Sequence, residues 1–154
     1  MPAYFPIAVD LERRLCVIVG GGTVAARRAN SVHECGARVR IIAPYVCDEI
    51  KNSDYEIRVK PFEAVDLEGA FLVIATTDDT NANTAVVAEA SARRILCNDA
   101  ETSEHGDFII PSTVRRGELV FSVTTGVRLM TQRVCSHHSV TRSCFVKQRP
   151  HSST

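Results

Sequence analysis

In Leu15-Cys-Val-Ile-Val-Gly-Gly-Gly-Thr-Val-Ala-Ala26 an apolar run passes into a glycine loop and then into a helix start. Gly20, Gly22 and Ala25 fill the pattern G-x-G-x-x-G/A. In that pattern the first small residue permits a tight turn, the second lets backbone approach a pyrophosphate, and the third lets helix pack on strand. A helix over 24–35 would turn its unpaired N–H groups and positive dipole end toward phosphates. Val17, Ile18 and Val19 precede the loop, the periodic set Val24, Ala25, Arg28, Ala29 and Val32 follows it, and Gly36 supplies a stop. An ordinary structural turn is the competing reading, and the strand-then-helix context favours the nucleotide site.

Working outward, Arg38–Ile42 reads as a second strand closed by Ala43-Pro44, residues 47–52 as a helical turn, and Tyr55–Lys60 as a strand with one wet face. Phe71–Ala75 is a continuous apolar run, the pattern of a central parallel strand covered on both faces. Thr76-Thr-Asp-Asp-Thr80 is rich in capping residues and introduces an alanine-rich helix over 81–92. Ile95–Cys97 reads as a short buried strand. Phe108–Ile110 and Leu119–Val123 read as further strands, separated by Pro111 and a turn at Arg115-Arg-Gly117. Strands alternating with helices predict an α/β, Rossmann-like parallel sheet with flanking helices and a short β extension from about 108. Ligands would gather beyond the carboxyl ends of the strands.

The usual acidic residue about 20 positions past the loop, which would hold a ribose 2′-hydroxyl, is replaced by Ile42, Ala43 and Pro44. Backbone groups or Tyr45 would take its place, and the residues alone leave NAD and NADP both open. Arg40 reads as part of a solvated strand face rather than as a partner for a 2′-phosphate.

The chain of 154 residues suits a single domain, and no apolar run reaches the ~18 residues of a membrane helix. Its start lacks a basic region followed by an apolar stretch, so a cytoplasmic location is expected. The six cysteines form no C-x-x-C pair and read as reduced, mostly buried thiols. Net charge is zero, yet residues 127–154 carry five Lys/Arg and no acid, which leaves 13 Lys/Arg against 18 Asp/Glu in 1–126. The basic tail has dispersed charges and a single Phe, Phe145, and reads as disordered rather than as a nucleic-acid or membrane arm. His105, between Glu104 and Gly106, reads as a surface residue, and no metal site is assigned.

The ordered set of motifs resembles the precorrin-2 dehydrogenases, including the amino-terminal part of siroheme synthase. It comprises Tyr4-Phe-Pro-Ile7, Val19–Ala25, Gly36-Ala37, Ala43-Pro44, Leu67–Ala75, Thr77-Asp-Asp79, Cys97-Asn98, Phe108–Ser112, and Arg115-Arg-Gly117 through Thr124-Thr-Gly126. The resemblance covers about residues 4–126 and implies NAD-dependent oxidation of precorrin-2 to sirohydrochlorin. In some members it also implies insertion of ferrous or cobalt ion. It further implies cofactor contacts from Gly20, Gly21, Gly22, Thr23, Val24, Pro44, Tyr45, Thr76, Thr77, Asp78 and Asn98. The position matching the family's catalytic aspartate is Glu101, one methylene longer, with Asp99 and Asp107 as neighbouring carboxylates. On composition alone Glu101 is a solvated residue of an acidic loop. Candidates for substrate contact are Ser112 and the pair Arg115 and Arg116, whose guanidinium forks suit carboxylates.

After Gly126 the pattern departs from the family, whose homodimers use a helical region there. The tail 127–154 is compatible with a shifted reading frame. Two other readings accompany the enzyme. One is a nucleotide-binding regulatory module without chemistry, which would not need the segment 98–111. The other is a shortened, inactive family member that still binds NAD.

Overall fold

The computed structural model describes residues 4–101 and 106–124, so His105, Glu104 and the basic tail lie outside the described residues. Two compact units divide these residues at Ile110 and Pro111.

The larger unit is a five-stranded, all-parallel sheet. Its strands are β1 (Leu15–Val19), β2 (Arg38–Ala43), β3 (Glu56–Val59), β4 (Leu72–Ala75) and β5 (Leu96–Asp99), in the spatial order β3-β2-β1-β4-β5. Helix α1 (Thr23–His33) joins β1 to β2, the short α2 (Asp48–Lys51) lies between β2 and β3, and α3 (Thr80–Ala92) joins β4 to β5. This is the Rossmann-like α/β arrangement expected from the alternation of elements, with the order reversing between β1 and β4.

Strand β1 is buried along its whole length, and its two faces feed two cores. Cys16 and Ile18 join Ala25, Ala26, Ala29 and Val32 of α1, together with Ile41 and Ile74. Leu15, Val17 and Val19 join Val86 and Ala90 of α3, together with Ile42 and Val73. Alternate side chains point to opposite faces, so a strand covered on both sides must be apolar throughout. Gly36, at φ +80°, ends α1 as expected: the Ala37 N–H reaches back to the Val32 carbonyl at 3.2 Å, and the Gly36 N–H to His33 at 2.8 Å.

Three local readings change. A 3-10 turn at Ala64–Leu67, unmarked in the sequence, closes on a reciprocal cap between Glu63 and Asp66. The Asp66 carboxylate is buried and meets Arg58 and Lys60, each at 2.9 Å. Arg40 is not solvated: its side chain is 13% exposed, pairs with Glu56 at 2.9 Å, and donates to the Asp66 and Glu68 carbonyls. Phe108–Ile110 is not a strand; Phe108 and Ile110 pack partly buried against the α1-side core.

The smaller unit is an antiparallel hairpin of β6 (Ser112–Arg116) and β7 (Leu119–Val123). Arg115 and Arg116 belong to β6 and pair with Val120 and Leu119, so the turn is at Gly117 and Glu118 rather than at the arginines. Gly117, at φ +58°, takes the first turn position, where a tight hairpin demands positive φ.

Among the described residues, Cys16 and Cys97 are buried and Cys35 and Cys47 half-buried. No helix among them is long and apolar enough to cross a membrane.

Candidate nucleotide and carboxylate site

The carboxyl ends of β1, β2, β4 and β5 bring together Gly20–Val24, Pro44–Tyr45, Thr76–Asp78 and Asn98–Glu101 on one edge of the sheet. A cleft of about 470 Å³, lined by His33, Arg38 and Tyr55 among others, lies at the opposite edge, where the strands begin. It takes no part in this site.

The three glycines of the loop do different work. Gly20, at φ +136°, is pressed against β4's end: a Cβ there would lie 2.3 Å from Thr76 Oγ1 and 2.8 Å from the Thr76 carbonyl. Gly21 is pressed against the loop after β2, where a Cβ would come within 1.8 Å of the Tyr45 carbonyl. Hydrogen bonds hold the same seams, from Gly20 N–H to the Ile42 carbonyl at 2.9 Å, Cys47 N–H to the Gly21 carbonyl at 2.7 Å, and Thr76 N–H to the Val19 carbonyl at 2.8 Å. Gly22 is different, because a Cβ there would meet nothing within 4 Å.

Gly22 is also the N-cap of α1, with no side-chain cap and no acidic residue in the first turn. The helix therefore begins with unpaired N–H groups, an unopposed positive dipole end and open space above its glycine. An acid at this place would cap the helix internally. Its absence leaves a cradle for an anion, and phosphates of a dinucleotide fit it. Thr23 and Val24 supply the first-turn N–H groups, and Ala25, fully buried, lets α1 lie close on β1.

Beyond β2, Tyr45 is 72% exposed, with the Lys51 ammonium 5.2 Å from its ring centre. No carboxylate stands in the usual ribose position, as the sequence indicates. Beyond β4, Thr76 is committed to the glycine loop, Asp78 is exposed, and Asp79 caps α3 by accepting from the N–H groups of Asn81 at 2.9 Å and Ala82 at 3.3 Å.

The carboxylates after β5 separate by environment. Asp99 is buried and accepts the Glu101 N–H at 2.9 Å, which shapes the turn. Asp107 accepts the Cys97 N–H at 2.9 Å, and the Asn98 side chain donates to the Phe108 carbonyl at 2.8 Å, so both close the loop back onto β5. Glu101 is exposed, yet its carboxylate accepts from Thr80 Oγ1 at 3.2 and 3.3 Å and from Asn83 Nδ2 at 2.9 Å. Glu101 and Asp107 are both exposed; Asp107 is held by the backbone of β5, whereas Glu101 is the one held by side-chain donors from α3.

Asn83 is the residue the sequence did not single out. It is 1% exposed and also bonds the backbone of Thr77 in both directions, accepting from N–H at 3.1 Å and donating to the carbonyl at 2.9 Å. An asparagine inside an alanine-rich helix carries no motif, and only its burial reveals it. Ser112, Arg115 and Arg116 lie on the hairpin of the separate unit, exposed along β6.

Fold and loop together define a dinucleotide-binding domain, and the chain belongs to the family described as "Putative NAD(P)-binding", which it matches over residues 7–112. The expected cofactor, NAD, stands within that description. More particularly, the chain is similar to siroheme synthases, with 38% identity over 126 residues to that of Photorhabdus laumondii and 39% over 125 residues to that of Methylobacillus flagellatus. Each match takes in 79% of this chain and 27% of the relative, so the chain spans about a quarter of the length of these proteins. The solved structure of SirC, a precorrin-2 dehydrogenase, superimposes with a TM-score of 0.69 at 28% identity, over 80% of this chain and 62% of SirC. The resemblance read from the motifs is thus found again in sequence and in fold.

Proposed function

We propose that this chain oxidises precorrin-2 to sirohydrochlorin with NAD as the electron acceptor, and that Glu101 takes the proton released. One observation carries this reading: an accessible, hydrogen-bonded carboxylate stands on the same sheet edge as an uncapped helix start with open space for phosphates. The similarity to SirC and to siroheme synthases supplies the substrate class.

When bound, the nicotinamide supplies a hydride acceptor. Precorrin-2 gives up two electrons as hydride and one proton, so the products are sirohydrochlorin, NADH and that proton. The work left to the protein is placement and proton acceptance. The N–H groups of Gly22, Thr23 and Val24 would hold the phosphates, and Tyr45 would meet the ribose. The Thr76–Asp78 loop and the Asn98–Glu101 turn would receive the nicotinamide, the hydride acceptor, at the ends of β4 and β5. The donors from Thr80 and Asn83 hold the Glu101 carboxylate in place, and a proton acceptor must be positioned within reach of the proton it takes. Ser112, Arg115 and Arg116 are the proposed contacts to the substrate's carboxylates. As the resemblance implies, the reading extends to a chelatase step with ferrous or cobalt ion as metal substrate, and to a homodimer working in the cytoplasm.

The test is anaerobic incubation with precorrin-2 and NAD while NADH is followed. Glu101→Ala is expected to lower kcat by about 100-fold with NAD affinity unchanged. Unaltered turnover in the variant removes Glu101 from the mechanism. Absence of turnover by the unmodified chain, although it binds NAD, overturns the oxidation itself.

A further inference from the structure

We propose that Asn83 is the positioning residue of this site, fixing the Glu101 carboxylate to the loop after β4 so that proton acceptor and cofactor loop keep one geometry. The inference rests on the reading of Glu101 given above. The Asn83 carboxamide is fully used: its oxygen accepts from Thr77 N–H at 3.1 Å and Thr77 Oγ1 at 2.7 Å, and its nitrogen donates to the Thr77 carbonyl and to Glu101 Oε2, each at 2.9 Å. Chemistry fixes which end is which. An N–H can meet only the amide oxygen, and a carbonyl only the amide nitrogen, so the second N–H is left pointing at a group that accepts.

A loop anchor alone would need only the three bonds to Thr77. The fourth reaches a carboxylate at the end of a different strand, and Thr80, one turn earlier on α3, adds a second donor to the same carboxylate. Glutamate has one more rotatable bond than aspartate, so an exposed, unheld Glu101 would sample more positions. A misplacement on the order of 1 Å can cost about 100-fold in rate. Because Asn83 is buried, its own rotamer is set by packing, and the rigidity passes to Glu101. The site uses Asn83 without exposing it to substrate.

The test is a double-mutant cycle on the whole chain. Asn83→Asp, which keeps the shape and the acceptor oxygen, is expected to lower kcat about 10- to 100-fold, with KM for NAD changed less than about threefold. In a Glu101→Ala background the same substitution should cost less than about threefold more. Thr80→Val, which removes only the second donor, should lose kcat in the same sense and keep the fold if Asn83→Asp does not. A readout independent of turnover is hydrogen exchange of the Asn83 carboxamide protons, which should quicken about tenfold or more in Glu101→Ala. Equal losses in both backgrounds, or exchange indifferent to Glu101, overturn the positioning role. Failure of turnover by the unmodified chain instead sinks the oxidation, and the exchange measurement still judges Asn83.

Discussion

Gly21 and Gly22 are neighbours with the same side chain and opposite reasons for it. A methyl on Gly21 meets a carbonyl oxygen 1.8 Å away, so Gly21→Ala forces the loop apart and is expected to destabilise the fold by about 2 kcal/mol or more, measured by urea unfolding. A methyl on Gly22 meets nothing within 4 Å, and its φ of −86° suits any residue. Gly22→Ala should therefore leave stability within about 0.5 kcal/mol while weakening NAD binding about tenfold or more. Loss of stability without loss of binding in Gly22→Ala would contradict the assignment. The template residues Gly20, Gly22 and Ala25 were legible because the pattern states a backbone requirement. Gly21 was legible only as a glycine, since its reason is a contact with Tyr45, 24 positions away. Asn83 was not legible at all, because burial and two distant partners give it its role.

The elements were legible where periodicity and capping agree: β1, α1 with its Gly36 stop, and α3 with its Asp79 cap. They were misread where a tertiary contact decides. Phe108 and Ile110 look like strand residues but serve as packing, and Arg40 looks solvated on an alternating strand but meets Glu56 across to β3. The 3-10 turn whose Asp66 carbonyl Arg40 meets also carries the buried Asp66 carboxylate. Burial alone would raise its carboxyl, but hydrogen bonds from Lys60, the Glu63 backbone and Arg58 outweigh that and hold it below the ordinary carboxylate range. A folded-state value below the unfolded one means that the stabilisation is present above the unfolded value of about 3.9 and is lost as pH falls through the lower, folded value. Asp66→Asn should cost about 1–3 kcal/mol at neutral pH, a modest figure because Arg58 and Lys60 stay about one-third exposed. The difference between variant and parent should shrink on acidification below that range, as denaturant melts at several pH values will show. A difference independent of pH would contradict the ion-pair account. The strands also set thiol chemistry. Burial, with Cys35 nearby, pushes the Cys16 thiol up to about 11, and burial, with Asp107 and Asp99, pushes Cys97 up to about 12. Alkylation at neutral pH followed by peptide mass mapping should label Cys35 and Cys47 well before Cys16 and Cys97.

For the molecule as a whole, strand order β3-β2-β1-β4-β5 puts the reversal between β1 and β4, and the glycine loop sits at that point. The fold follows from one parallel sheet buried on both faces, and the site from the ends of its central strands. The step from fold to reaction rests on Glu101 and on the similarity to siroheme synthases and SirC, since this architecture by itself hosts many chemistries. The most direct measurement is the stoichiometry of the unmodified chain with precorrin-2 and NAD under anaerobic conditions, with NADH and sirohydrochlorin quantified together. The account predicts equal amounts of both, formed over many turnovers. NAD binding with neither product formed would contradict it.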